Sequence, residues 1–516
     1  MSPGDFPTGI GLLLTVLVPL FGALLALALG RAWRGAGGAA ALAAAALNLL
    51  LAGALFRAMT GPASVRVGTG AGAVPLFADG LALLLLAATA AVVFLITLST
   101  LSGPEPGGGS GRFFGLLLIM LAGINGCLTA GDLFTLWVFM EAAGLAAMAL
   151  VGFGAGSESL EAAFKGLVTG ALGSLCLLFG LALALGALGT LEMGGLAGRI
   201  AAGGGAAGNP LLLLAGAFLL AGALLKIATF PFHAWMPDAA GAASAPAAAL
   251  LAGPAVMAMG ACAFIRIVAQ VLDGGSLPGL GTTLAWLGTA SMAAGALMAA
   301  GQWDLRRLLG FNAVSQAGCA LAGVGLAMSL AGSPGPAAAM AAAGAVLHLA
   351  GQTVAHSLLA LCAGAFERAT GTTNLREMGG LWARMPATGA SCVAGALSSS
   401  GVPPFAGFWS RLLIVWAAAS SGRWALAAAM AACGLVTLAA FVKLQKHVLF
   451  GPAGARALRV SREAPWMERL AMLTLAAGCL LLGLLFLMPS GLREALGSAA
   501  QALTGGAGGL IGSPRP

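Results

Sequence analysis

Several side chains able to hold or move a proton stand inside apolar runs of this 516-residue chain. Glu141 lies within 133–153, a stretch with no other charge. A charged group at mid-bilayer costs about 2.5–3.5 kcal/mol on insertion scales, so such a residue faces a partner or water, or is held neutral in helix packing. Lys226 is the only lysine deep inside a span and comes five residues before Pro231. Lysine gains and loses its proton readily on burial and arginine does not. In a chain with 20 arginines and four lysines, a lysine here has a chemical reason; the competing reading is a side chain snorkelling to the interface. His348, Gln352 and His356 recur at i, i+4 and i+8, on one helix face and about 12 Å from end to end. Imidazole both donates and accepts near neutrality, which suits a proton wire; a packed, hydrogen-bonded pair is the alternative. Eight residues is too far for one ion, and no cysteine or carboxylate lies nearby in sequence, so a metal site is not expected. Arg411 follows Pro403-Pro404 as a fixed charge, because guanidinium does not deprotonate. Lys443 closes a later run with Lys446 and His447, and either lines the path or snorkels to the surface. Asp79, Asp132 and Asp304 precede spans and read as helix N-terminal groups.

The elements that must position these residues follow from composition. The apolar set makes up 60% of the chain and charged residues 8%, with a mean hydropathy of +1.00. A soluble domain carries about 25% charge, so a water-soluble globular enzyme is excluded. The eight cysteines sit singly in apolar stretches, without CxxC or a mixed Cys/His cluster, which argues against iron–sulfur, zinc or disulfide chemistry. The net charge of +8 is spread over loops rather than gathered on a basic face, so no nucleic-acid partner is expected. No catalytic, cofactor-binding or metal-binding residue is assigned.

Apolar runs fall near 8–29, 38–56, 80–101, 113–130, 133–153, 166–188, 210–231, 246–266, 280–301, 308–331, 337–364, 388–419, 424–450 and 469–489. The fold expected is an all-α polytopic membrane protein of about 14 transmembrane helices. Met1–Asp5 lacks a basic n-region, so the first segment is expected to stay in the mature protein. With Lys226 set aside, fifteen Lys and Arg fall to the odd-numbered loops and eight to the other side. That bias puts the odd loops in the cytoplasm and both termini outside.

The chain also repeats itself at an offset of about 172. Asp132-Leu-x2-Leu136-x2-Phe139 matches Asp304-Leu-x2-Leu308-x2-Phe311, and Pro231-Phe232-His-Ala-Trp235 answers Pro404-Phe405-Ala-Gly-Phe-Trp409. Five segments per unit force the two units into opposite orientation, the signature of inverted transporter repeats. The prolines break a helix in each unit, and in lipid such breaks survive only against protein or a wet cavity. The organisation expected is 1–112, helices 1–3; 113–271, the first repeat (helices 4–8); 272–451, the second repeat (helices 9–13); and 452–516, a loop, helix 14 and a short tail.

Asp132-Leu-Phe-x3-Val-Phe-Met-Glu141, Lys226-Ile-x3-Pro231-Phe-His-Ala-Trp-Met-Pro-Asp238-Ala and Asp304-Leu-Arg-Arg-Leu-Leu-Gly-Phe-x3-Ser315-Gln316-x-Gly318 carry a family resemblance. So do His348, Gly379-Gly380-Leu-x3-Met385-Pro386 and Gly401-Val-Pro-Pro-Phe-Ala-Gly-Phe-Trp-Ser410-Arg411. Over roughly residues 79–451 the chain resembles the antiporter-like proton-translocating membrane subunits shared by respiratory complex I, Mrp-type cation/proton antiporters and energy-converting hydrogenases. The stretch from Ala249 to Arg266 and the ending Phe441-Val-Lys443-Leu-x5-Phe450-Gly451 look most like the large membrane subunit of the hydrogenase-type complexes.

The resemblance implies that Glu141 and Lys226 are the acid and base of a first half-channel. It places His348 and His356 on a central hydrophilic axis, and Arg411 and Lys443 in a second half-channel. Lys165, His233, Asp238 and Gln352 are candidate support residues. The chain departs from the family where titratable residues are usual: Val256 and Met257 stand in segment eight, Gln352 in place of His, His356 in place of Lys, and Arg411 in place of Lys or Glu. The second half is therefore expected to conduct poorly. The function implied is a subunit of a redox-driven ion pump, moving protons or Na⁺ without a redox site of its own. Its partners would be other antiporter-like and small membrane subunits, peripheral redox subunits and the lipid bilayer. Its place would be a prokaryotic cytoplasmic membrane. A non-conducting coupling subunit of the same kind of complex and a Na⁺/H⁺ antiporter subunit are the alternatives.

Overall fold

The computed structural model describes residues 5–33, 35–58, 63–67, 74–103, 110–154, 156–202, 208–270, 277, 279–331, 333, 335–453, 455–458, 460, 462–488, 494 and 496–498. Both chain termini, the tail from 499, Arg34, Arg459, Arg493 and Arg515 lie outside the described residues.

The helices are α1 (Asp5–Ala32), α2 (Ala36–Ala58), α3 (Gly80–Leu101), α4 (Ser110–Leu128), α5 (Leu133–Val151), α6 (Ser157–Leu188), α7 (Met193–Ala202), α8 (Pro210–Lys226), α9 (Trp235–Ala242), α10 (Ala245–Leu250) and α11 (Ala261–Gln270). They continue as α12 (Leu280–Gly301), α13 (Leu305–Ser329), α14 (Ala337–Thr370), α15 (Pro386–Ser400), α16 (Ala406–Ser420), α17 (Trp424–Gln445), α18 (Ala455–Leu458) and α19 (Trp466–Leu487). A π-helical stretch, Leu251–Gly260, joins α10 to α11 in one span. Twelve helices among the described residues are long and apolar enough to cross a membrane, so this is an integral membrane protein. Two further segments are broken: α8 stops at Lys226 before α9, and α15 stops at Ser400 before α16. Fourteen crossings, the number expected, requires each broken segment to cross as a pair.

The break expected at Pro403-Pro404 divides the run 388–419 into two helices, α15 and α16. Three features differ from the sequence expectation. Helix α6 begins at Ser157 rather than near 166, because Lys165 pairs with Glu161 one turn back at 2.8 Å and so tolerates helix where hydropathy alone ends it. A hairpin of β1 (Ala63–Val67) and β2 (Val74–Ala78) fills the connection after α2. Lys165, Arg266 and Arg411, counted with the loop cations in the charge bias, stand inside helices.

The same local devices recur in both halves. Asp132 and Asp304 each cap a helix, accepting from Thr135 N at 2.7 Å and Arg307 N at 2.9 Å. The next amide reaches across in each half: Leu133 N donates to Leu191 O, and Leu305 N to Thr373 O. Helices α6 and α14 both end on a left-handed glycine, Gly189 (φ 65°) and Gly371 (φ 70°), which only a residue without Cβ adopts at little cost. Both breaks contain a cis X–Pro bond, Phe230–Pro231 and Pro403–Pro404. Proline removes a backbone donor there, so the helix cannot run through.

Small residues set how closely the spans pack. A Cβ on Gly288 of α12 would stand 2.3 Å from Ala322 N of α13, the close backbone approach that drives helix association in lipid. Helices α13 and α14 and the span 245–268 lie in the interior, whereas α1, α2, α6 and α19 form the rim and show Leu and Phe outward. His348, Gln352, Thr353 and His356 of α14 are thereby enclosed by protein.

Candidate functional site

Glu141 is carried on α5 and Lys226 is the last residue of α8, where the helix breaks. Lys226 Nζ lies 3.1 Å from Glu141 Oε2, with the lysine side chain 11% exposed and the carboxylate 26%. Ser174 of α6 donates a hydrogen bond to the same carboxylate oxygen. Its backbone carbonyl in turn accepts from Trp137 Nε1 at 3.2 Å, so residues one turn apart on α5 grip Ser174 at two points. The break is closed by Trp235, whose Nε1 donates to Leu225 O at 3.2 Å, and by Phe230 N, which donates to Ser291 Oγ. Beside the pair lies a cavity of about 210 Å³, walled by Gly144, Gly166, Gly170, Ala171, Trp235 and Val256 among others. It is large enough for several waters. An acid, a base and room for water meet here.

The second cluster is assembled from α13, α14, α15 and α16. Arg411 donates to Gln316 Oε1 at 2.6 Å, and to Ser399 O and Ser400 O at 2.7 Å each. Because guanidinium only donates, it fixes the direction of all that follows. Gln316 Nε2 donates to Asn312 Oδ1 at 3.0 Å. Asn312 Nδ2 then donates to Ser399 Oγ and to His356 Nε2, 3.2 Å away. His356 must carry its proton on Nδ1, which lies 3.0 Å from Gln352 O. The ring is neutral in this arrangement. Ser410 gives its proton to Gly407 O, so it accepts from His348 Nδ1 at 3.0 Å, and His348 holds its proton on the same ring nitrogen. His348, Gln352 and His356 are fully enclosed, and the donors run outward from Arg411 through neutral amides to an imidazole.

Residues 130–437 match the family of NADH:quinone oxidoreductase and Mrp antiporter transmembrane subunits. The chain belongs to this family. It is 32% identical over 389 residues to NADH-quinone oxidoreductase subunit N of Desulforudis audaxviator, covering 72% of this chain and 74% of the relative. It is 32% identical over 340 residues to a Na(+)/H(+) antiporter subunit of Alkalihalophilus pseudofirmus, covering 66% of each. Its fold matches a chain of the archaeal membrane-bound sulfane sulfur reductase, a respiratory membrane complex, with a TM-score of 0.84 at 26% identity, covering 97% and 99% of the two chains.

Against this antiporter-like frame the other candidate residues fall in distinct places. Val256 and Met257 lie in the π-helical stretch, fully enclosed, and Val256 walls the Glu141–Lys226 cavity. Lys443 sits apart from the Arg411 network: its Nζ donates to Ala300 O at 2.6 Å and to Gln302 O, and lies 5.0 Å over the Trp303 ring. That geometry closes the C-terminus of α12. Lys165 and Arg307 share Asp238, at 3.5 and 3.1 Å, in a half-exposed cluster. His233 packs its ring on Phe230, 5.6 Å between centroids.

Sequence reading missed Ser174, because a lone serine in an apolar helix carries no pattern. It missed the joint roles of Asn312 and Gln316, although their i, i+4 spacing repeats that of Gln352 and His356 and is a legible signal. It also missed a buried pair. Arg266, 1% exposed, forks onto Asp79 with both bonds 2.7 Å long. Asp79 caps α3 as expected, through Ala82 N, and holds Arg266 as well.

Proposed function

We propose that this antiporter-like subunit carries protons across the membrane within a larger redox-driven complex, with Glu141 and Lys226 as the group that loads and releases them. The observation that carries the reading is the 3.1 Å contact beside a cavity of about 210 Å³. Paired, the two charges support each other within the membrane-spanning interior. When an electrostatic change in a neighbouring subunit draws the carboxylate away, the ammonium is left without its counter-charge and gives its proton to the waters of the cavity. Other antiporter-like and small membrane subunits would flank the chain, and peripheral redox subunits would supply the driving charge change.

The membrane would be a prokaryotic cytoplasmic one. In support of fourteen crossings, a single cavity collects residues from six odd-numbered connections or the helix ends beside them: Gly103, Gly154, Ser244, Arg306, Arg368 and Glu468. Their meeting on one face fits both broken segments crossing the bilayer. The charge bias then supports that face as cytoplasmic and both termini as outside.

A second reading, in which the C-terminal half couples neighbours without conducting, is favoured by one feature. Arg411 gives its side-chain bonds to Gln316 and two carbonyls, and no carboxylate joins the described network. The same chemistry would also serve a Na⁺/H⁺ antiporter subunit.

The test is the ion-to-electron ratio of the reconstituted complex. Lys226→Met and Glu141→Ala should assemble yet lose coupled translocation by at least about tenfold, as for a deleted proton-transfer group. Lys226→Arg should fail likewise, because its charge cannot be switched off. Normal coupling in all three variants excludes this pair from the path.

A further inference from the structure

A carboxylate that the site above does not use stands at the odd-loop face. Glu468, in the first turn of α19, is 3% exposed. Arg368 donates to its Oε1, while Oε2 meets no donor among the described residues. That side chain walls a cavity of about 270 Å³ together with Ser99, Thr100, Ser244, Arg306 and Arg368. Ser99 and Thr100 each spend their hydroxyl proton on Ile96 O, so they too present acceptors. A buried carboxylate oxygen without a donor is costly unless water or a proton reaches it.

A second void adjoins this cavity. Ala245 and Arg306 belong both to its wall and to that of a second void of about 20 Å³, whose lining includes His356, Ala252 and Ala360. That void has room for about one water. Arg306 is held by Glu367 and by Ala243 O and cannot carry a proton itself. Its charge is matched by Glu367, and that of Arg368 by Glu468 while the carboxylate is ionised, so an arriving proton meets no net positive charge. Glu463 is committed elsewhere, accepting from Ala387 N and Thr388 Oγ1.

We infer that Glu468 collects protons at the odd-loop face and passes them, through the cavity and the single-water void beside Arg306, to His356. This rests on the reading of the chain as a proton carrier. Hydronium gives its proton to Oε2, forming O–H and leaving neutral water. Oε2 then gives that proton up to the relay water, whose own proton passes to His356 Nε2, forming N–H as the Asn312 amide releases that nitrogen; Glu468 is again a carboxylate, the water is neutral and His356 is an imidazolium. No electron moves.

The experiment uses the assembled complex in membrane vesicles, with a pH-gradient dye and the electron-transfer rate read together. Glu468→Gln and Ala360→Val, the latter filling the void without touching a charge, should each lose the same part of the proton-to-electron ratio. Glu468→Asp should keep it. In the infrared difference spectrum, Glu468→Gln should lose a protonated-carboxyl stretch. If Glu468→Gln lowers the ratio but Ala360→Val does not, Glu468 only holds Arg368 and the inference is overturned. If both keep the ratio while Lys226→Met loses it, the inference fails and the first-half reading stands. If Lys226→Met keeps it too, the underlying reading fails.

Discussion

In the first half an ammonium and a carboxylate meet at 3.1 Å beside a cavity of about 210 Å³; in the second, Arg411 is joined through Gln316 and Asn312 to His356, with His348 held on Ser410, in a packed interior. The scaffolding is shared: an aspartate cap, a glycine helix end and a proline break occupy matching places in each. What differs is what hangs on it. An acid–base pair can exist in two charge states and so can answer an applied field. A guanidinium has one state, and it orients every donor between itself and His356 without taking a proton. On the proposed reading the first half loads and unloads, while in the second Arg411 holds the direction of the donors that reach His356.

The largest effect is expected at the buried pair that ties the first half to the N-terminal helices. Arg266 is carried on the span 245–268 and Asp79 caps α3, and Arg266→Met strands Asp79 in the interior. Breaking one side of a buried pair costs about 3–5 kcal/mol, so the complex should melt markedly earlier in detergent, and the double variant Asp79→Leu/Arg266→Met should recover part of the loss.

Next comes the wire. His356→Ala should lower the proton-to-electron ratio with assembly intact, and His356→Lys should raise it or leave it unchanged. An alanine variant that pumps normally would make the second half purely structural and sharpen the contrast to an absolute one.

Ser174→Ala removes one of two donors on Glu141. A net hydrogen bond to a charged group is worth about 1.5–3 kcal/mol, so turnover should slow by about tenfold or more while the complex still assembles; Ser174→Thr should restore it. Smallest is Lys443→Met. If this lysine only closes α12 over Trp303, its loss should leave the ion ratio unchanged and cost about 1 kcal/mol of thermal stability. A lost ratio would put a titratable group back into the second half and break the comparison.

Much of this was legible in one dimension. A span of apolar residues has to cross the bilayer, and a proline inside it has to break the helix, whatever lies around it. The aspartate caps and the i, i+4, i+8 face of α14 follow from local geometry, and both are found. Partnership is not local. Ser174 reaches Glu141 across 33 positions, Asn312 reaches His356 across 44, and Arg266 reaches Asp79 across 187. Arg266 shows the reason most plainly: hydropathy counts its charge against burial and leaves it in a loop, because the cost of burying a guanidinium is visible in the sequence and the carboxylate that offsets it is not. For Lys443 the sequence left two roles open, and the carbonyls at the end of α12, brought close only by packing, favour one. Residue types set which groups could move a proton here; the distances between helices decided which of them meet.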